Sequence, residues 1–232
     1  MINPLALAAL VMTVSLSACS TAPQMQSKPA APLHVLIIGD SISMNYTPRV
    51  RSLLGDGAVV VRPTLANGRA ENCAGTNNGI KHIDRWLQLD GGDWDVIHFN
   101  FGLHDIKHMH PETGKASRDP SHGLQAPLPQ YTAQLTTITD KLQATGATLI
   151  FATTTPVPEG HVSPYREVND AARYNAAAVA LMESRGIAVN DLYAFALPRL
   201  VELQKPANVH FTREGSKALG QVVAETIQAA VQ

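Results

Sequence analysis

Val35-Leu36-Ile37-Ile38-Gly39-Asp40-Ser41 is an unbroken apolar run that ends on a glycine, an acid and a serine. A run that is apolar at every position, not at every second one, reads as a strand covered on both faces. Such strands belong to parallel sheets. Four more runs have the same character, at residues 58–61, 96–101, 148–153 and 187–189. Between them the apolar spacing becomes helical. Ile80, Ile83, Trp86 and Leu87 share one face within 79–89, and Tyr131, Leu135, Ile138 and Leu142 do so within 131–144, which stops at Gly146. Tyr174, Ala178, Leu181 and Met182 form a third such stripe before Gly186, and a last helix starts after Thr212, an N-cap type with Glu214 in the first turn. Strands alternating with helices predict an α/β doubly wound fold, a three-layer α/β/α sandwich on a five-stranded parallel sheet of flavodoxin-like type.

Sheets of this kind bind ligands beyond the carboxyl ends of their strands, so the strand-end residues carry the chemical interest. The first such end holds Ser41, which reads equally as a nucleophile or as the cap of the next helix. The third holds Asn100-Phe101-Gly102-Leu103-His104-Asp105, which reads either as a turn capped by Asp105 or as a hydrogen-bond donor placed beside the nucleophile. Near the end of the chain, Val209-His210-Phe211-Thr212 puts a histidine just before the last helix, on the same edge as Ser41. A weak hydroxyl nucleophile needs such a base within hydrogen-bond reach. The long segment 107–129, rich in Gly, Pro and His, exceeds what a connector needs and is expected to cover the site.

In order and spacing these blocks resemble the SGNH hydrolase superfamily, the GDSL esterases and lipases, over residues 33–231. The resemblance makes Ser41 the nucleophile and His210 the base. Gly102-Leu103-His104-Asp105 matches the block that ends in Gly-x-Asn-Asp, which puts His104 where the family has an oxyanion-binding Asn. The oxyanion hole it implies is formed by the backbone of Ser41, by Gly75 within Asn72-Cys73-Ala74-Gly75-Thr76, and by His104, with Gly68 or the Cys73 amide as alternatives to Gly75. Ala207-Asn208-Val209-His210 matches Asp-x-x-His, but Ala207 stands where the family's Asp orients the base. A backbone carbonyl holding His210 in a Ser–His dyad is the expected substitute. The amide oxygen of Asn208, or Asp191 from the fifth strand end, are the other two. The resemblance calls for no cofactor and no metal. His104, His108 and His110 with Asp105 are the residues a metal would use, yet sequence places no third ligand with the first pair.

The activity implied is hydrolysis of carboxylic esters through an acyl-enzyme on Ser41. Strand-end loops rich in Asn, Thr and His suit a carbohydrate O-acetyl substrate better than a fatty chain. Lipase or thioesterase action, or a degenerate surface glycan-binding protein, are the alternatives. Arg69, Glu71 and Asn72 are expected near substrate, residues 153–158 in the cleft wall, Arg166 on the surface, and Tyr174 and Cys73 in the core.

Of the 232 residues 45% are hydrophobic and the net charge is −1, which suits one globular domain and gives nucleic acid no basic surface to bind. The apolar segment 4–16 is short for a membrane span and leads into Leu16-Ser17-Ala18-Cys19. That resembles the lipobox of a bacterial lipoprotein signal, although no Lys or Arg precedes it. The expected organisation is a signal peptide over 1–18, lipid on Cys19, a flexible tether over 19–32 and the hydrolase domain over 33–232. The resemblance implies a membrane partner through that anchor, and Ser20 in place of an Asp favours the outer membrane, facing the periplasm or the cell surface. With Cys19 lipidated, Cys73 has no partner for a disulfide.

Overall fold

The computed structural model describes residues 31–160 and 162–232, so the signal, lipobox and most of the tether lie outside the described residues. The strands are β1 (Leu33–Ile38), β2 (Ala58–Val61), β3 (Val96–Phe99), β4 (His108–Met109), β5 (Gly123–Leu124), β6 (Thr148–Ala152) and β7 (Ala188–Asn190). The helices are α1 (Ser41–Leu54), α2 (Thr76–Leu87), α3 (Leu128–Gln143), α4 (Asp170–Ser184), α5 (Leu192–Ala196), α6 (Leu200–Leu203) and α7 (Arg213–Ala229). β2, β1, β3, β6 and β7 lie side by side in that order, every pair parallel, as the continuous apolar runs require.

The middle of the sheet is dry. Val35, Leu36, Ile37 and Ile38 are fully buried, as are Val96, Ile97, Phe99, Ile150 and Phe151. Removing each such side chain from water stabilises the fold by about 1.5–3 kcal/mol, which explains why alternation is absent from these strands. α1 packs on α7 on one face, while α2, α3 and α4 form a layer on the other. The helices begin where the spacing predicted, give or take a turn, and Thr212 caps α7 by accepting the Gly215 N–H at 3.0 Å. Segment 107–129 is not a bare loop. Its His108–Met109 and Gly123–Leu124 form a short antiparallel ladder beside the sheet.

Because all five strands run the same way, their carboxyl ends share one edge. Gly39–Ser41, the 62–75 loop, Asn100–Asp105, Thr153 and Asp191 all emerge there.

Candidate active site

The turn after β1 is built by Asp40, not by Ser41. Asp40 is the N-cap of α1, and its Oδ1 accepts the Ile42 N–H at 2.9 Å. Ser41 is the first helical residue, which leaves its hydroxyl free and its N–H among the first-turn donors that a helix cannot satisfy. Gly39 is needed for room, not for an unusual backbone angle: a Cβ there would stand 2.9 Å from the Ser43 hydroxyl. Gly102 is demanding on both counts. Its φ is +144°, and a Cβ would lie 2.1 Å from Thr154 Oγ1.

Ser41 Oγ is 2.9 Å from His210 Nε2. On the far side of the ring, His210 Nδ1 is 2.8 Å from Asn208 Oδ1, which also accepts the His210 backbone N–H at 2.9 Å. The amide oxygen can only accept, so Nδ1 carries the proton and Nε2 presents its lone pair to the Ser41 hydroxyl. The expected dyad on a backbone carbonyl is thereby corrected. Asn208 holds the base, and Ala207, with a left-handed φ of +46°, redirects the chain just ahead of it. Asp191 is engaged elsewhere: its Oδ1 accepts from Thr153 Oγ1 and from Ala194 N at the start of α5. Burial holds the His210 pKa below the usual 6.5; Asp40 opposes that, and Lys205 and Arg166 add to it.

Ser41, Asn72, Leu103, His104, Lys107, Arg166 and His210 line one cleft of about 290 Å³, together with Ala116, Ser163, Pro164 and Val209. Burial, helped by Lys107, Arg166 and His210, pushes His104 down to about 4, so its ring is neutral near pH 7. Lys107 Nζ lies 3.5 Å from His104 Nδ1. An ammonium can only donate, so it favours the tautomer with the proton on Nε2.

From the 62–75 loop, the residue facing this cleft is Asn72. Gly75 is the N-cap of α2 and is backed by Asp105, whose carboxylate would lie 2.7 Å from an added Cβ. Gly68 is turned away and donates to Leu65 O, and the Cys73 N–H is spent on Gly39 O at 3.2 Å. Asn72 Oδ1 accepts the Ala74 N–H at 2.9 Å, which fixes the amide orientation and leaves the Nδ2 hydrogens without a partner among the described residues.

Two buried charges brace these loops. Arg62 donates to Gly39 O, Glu71 O, Ser43 Oγ and Thr47 Oγ1, tying the nucleophile turn to the Asn72 loop. Asp105 accepts Thr76 N and Thr76 Oγ1 at 2.8 and 2.6 Å, so this acid braces the start of α2 as well as its own turn, where the Gly102 and Asp105 backbone favours the carboxylate. Burial raises its pKa to about 6, opposed by those hydrogen bonds.

Other expectations fare unevenly. Glu71 pairs with Arg85 and Arg69 is exposed, so neither faces the cleft. Arg166, expected at the surface, is 5% exposed and lines the cleft. Tyr174 and Cys73 are core residues, and burial pushes the Cys73 thiol up to about 12. The three histidines diverge: His108 meets Tyr165 edge to face and His110 meets His122 in the same way, while His104 faces the cleft. Among the described residues no cluster of three or more His, Cys, Asp or Glu side chains is placed to hold a metal ion.

Comparison with known proteins agrees with this architecture. The GDSL-like lipase/acylhydrolase family model matches residues 37–218. An acetyl xylan esterase, AlAXEase, superposes with a TM-score of 0.64 at 15% identity, over 84% of this chain and 100% of that one. A lipase/acylhydrolase from Enterococcus faecalis superposes with a TM-score of 0.66 at 16% identity, over 85% and 96% of the two chains. A member of the lipolytic G-D-S-L family from Veillonella parvula DSM 2008 gives 0.59 at 15% identity, over 84% and 98%. No curated protein matches by sequence. At these identities the structural likeness speaks for the fold. The family match spans most of the chain, from the end of β1 into α7, and so this protein belongs to the GDSL-like lipase/acylhydrolase family of ester-hydrolysing enzymes.

Proposed function

We propose that the protein is a serine esterase that removes O-acyl groups, acetyl foremost, from carbohydrates. The observation that carries the chemistry is the linear chain Ser41 Oγ, His210 Nε2, His210 Nδ1, Asn208 Oδ1, with gaps of 2.9 and 2.8 Å. Ser41 Oγ attacks the ester carbonyl as His210 Nε2 takes its proton. The tetrahedral oxyanion is held by the Ser41 N–H, the His104 ring N–H and the free amide hydrogens of Asn72, which replaces Gly75 as the second-loop donor. Collapse expels the alcohol, which receives the proton from Nε2. Water then attacks the acyl-enzyme with His210 again as base; the Ser41 Oγ–acyl bond breaks, Nε2 returns the proton to Oγ, and the acid leaves.

A cleft of about 290 Å³ that places Asn72, His104, Lys107, Ser163 and Arg166 around the nucleophile supports a small acyl group and a hydroxylated alcohol over a fatty chain. The structural likeness to an acetyl xylan esterase points the same way. The lipobox-like Leu16-Ser17-Ala18-Cys19 supports display of the domain from a bacterial outer membrane by lipid on Cys19. Turnover of p-nitrophenyl acetate by wild type and Ser41→Ala tests the reading. Loss of turnover in the variant is expected, and equal turnover by both proteins refutes it.

A further inference from the structure

Beside the nucleophile the cleft is one-sided in charge. Its lining contains two cations, Lys107 and Arg166, beside the imidazoles of His104 and His210, and no Asp or Glu. The chain as a whole is close to neutral at −1, so this is a local concentration of cations. Neither Lys107 nor Arg166 has a carboxylate within ion-pair distance among the described residues, although surface cations such as Arg85 and Lys141 do. Arg166 spends Nε on Leu103 O at 2.8 Å and Nη1 on Pro164 O at 3.2 Å, and its Nη2 has no partner among the described residues. The nearest acids act from behind the cleft wall. Asp40 is buried in the turn with Ile42, and Asp105 is held by Thr76. Burial lowers the Arg166 pKa to about 10 and that of Lys107 below its usual value, yet Arg166 remains charged at neutral pH. Partly desolvated cations without a partner are costly, and a fold retains them where a ligand completes the pair.

We infer that Lys107 and Arg166 form a subsite for a carboxylate on the alcohol part of the substrate, so that the preferred ester belongs to an acidic sugar instead of a neutral one. This rests on the reading of Ser41 as nucleophile, because the subsite is defined by its place beside that hydroxyl. Lys107 also touches His104, so a simple loss of rate is uninformative; the ratio of two substrates is the informative quantity.

The test uses 4-acetoxybenzoate and its neutral methyl ester, each kcat/KM divided by the hydroxide-catalysed rate of the same ester. The corrected ratio of anion to neutral ester is expected to be at least about tenfold at low salt and to decline as salt is raised. Lys107→Met and Arg166→Gln are each expected to bring it toward one, while Arg166→Lys retains part of it. A wild-type ratio near or below one overturns the inference. So does a ratio unchanged in both neutral variants, which shows that neither cation reads the carboxylate. If p-nitrophenyl acetate turnover does not depend on Ser41, the nucleophile reading fails instead. If turnover depends on Ser41 and the ratio is flat, only the subsite fails.

Discussion

Asn208 occupies the place an acid normally holds behind the base, and replacing it by Ala removes the acceptor from two donors, His210 Nδ1 at 2.8 Å and His210 N at 2.9 Å. The ring is half-buried and Asn208 is exposed, so water can take over part of the role. The cost then falls in the lower range for an unmade hydrogen bond, about 1–2 kcal/mol. At about 1.4 kcal/mol per decade this is a fall in kcat of about 5–30-fold. KM should barely move, because Asn208 is behind the ring and does not line the cleft. Asn208→Asp has a different signature. A carboxylate on Nδ1 favours the imidazolium and raises the His210 pKa. His210 acts as a base only when neutral. In wild type its pKa is depressed, so the acid limb of kcat/KM should lie below pH 6.5. In Asn208→Asp that limb moves to higher pH, activity on the acid side falls, and the plateau rate is maintained or increased. By the same reasoning Ala207→Asp should change the rate by no more than about twofold, since Nδ1 is already occupied. The assay is the pH profile of p-nitrophenyl acetate hydrolysis. An Asn208→Ala enzyme with unchanged kcat and an unchanged acid limb would refute this account of how the base is held.

Removing a donor from the oxyanion hole, by His104→Ala or Asn72→Ala, should lower kcat by about 10²–10³-fold in steady-state assays, while His104→Asn keeps most of the activity. With its pKa near 4, His104 is already neutral at pH 6, so raising the pH from 6 to 8 should reveal no loss of activity from its deprotonation. Cys73, fully buried and with its pKa pushed up to about 12, should resist a disulfide-exchange thiol reagent in the native protein and react once urea unfolds it. Cys19→Ala should move the expressed protein from the membrane fraction to the soluble one, read by fractionation and immunoblot.

The sheet was legible because its strands are covered on both faces. Val35–Ile38 and the runs at 96 and 148 leave no polar alternation to confuse with a surface strand. Ser41 and His210 were legible because each sits at a strand end or just before a helix on the shared edge. Contacts made across the sequence were less accessible. Asn208 was one of three substitutes for the missing Asp, and the choice among them was settled by local backbone that includes a left-handed φ at Ala207, which no pattern signals in an alanine. Arg166 enters the cleft by bonding to Leu103 O, 63 positions earlier in the chain, so nothing around it in sequence marks it. In the 62–75 loop the glycine at 75 permits the close approach of Asp105, and the side chain that lines the cleft is that of Asn72, a contact that no local pattern marks.

The central claim is that Ser41 is the nucleophile. Reaction of the protein with a fluorophosphonate, followed by mass spectrometry of its peptides, tests it most directly. One phosphonyl adduct on Ser41, formed in step with the loss of esterase activity and absent after His210→Ala, is the predicted result. An adduct on another residue, or full esterase activity with Ser41 already modified, would contradict the account.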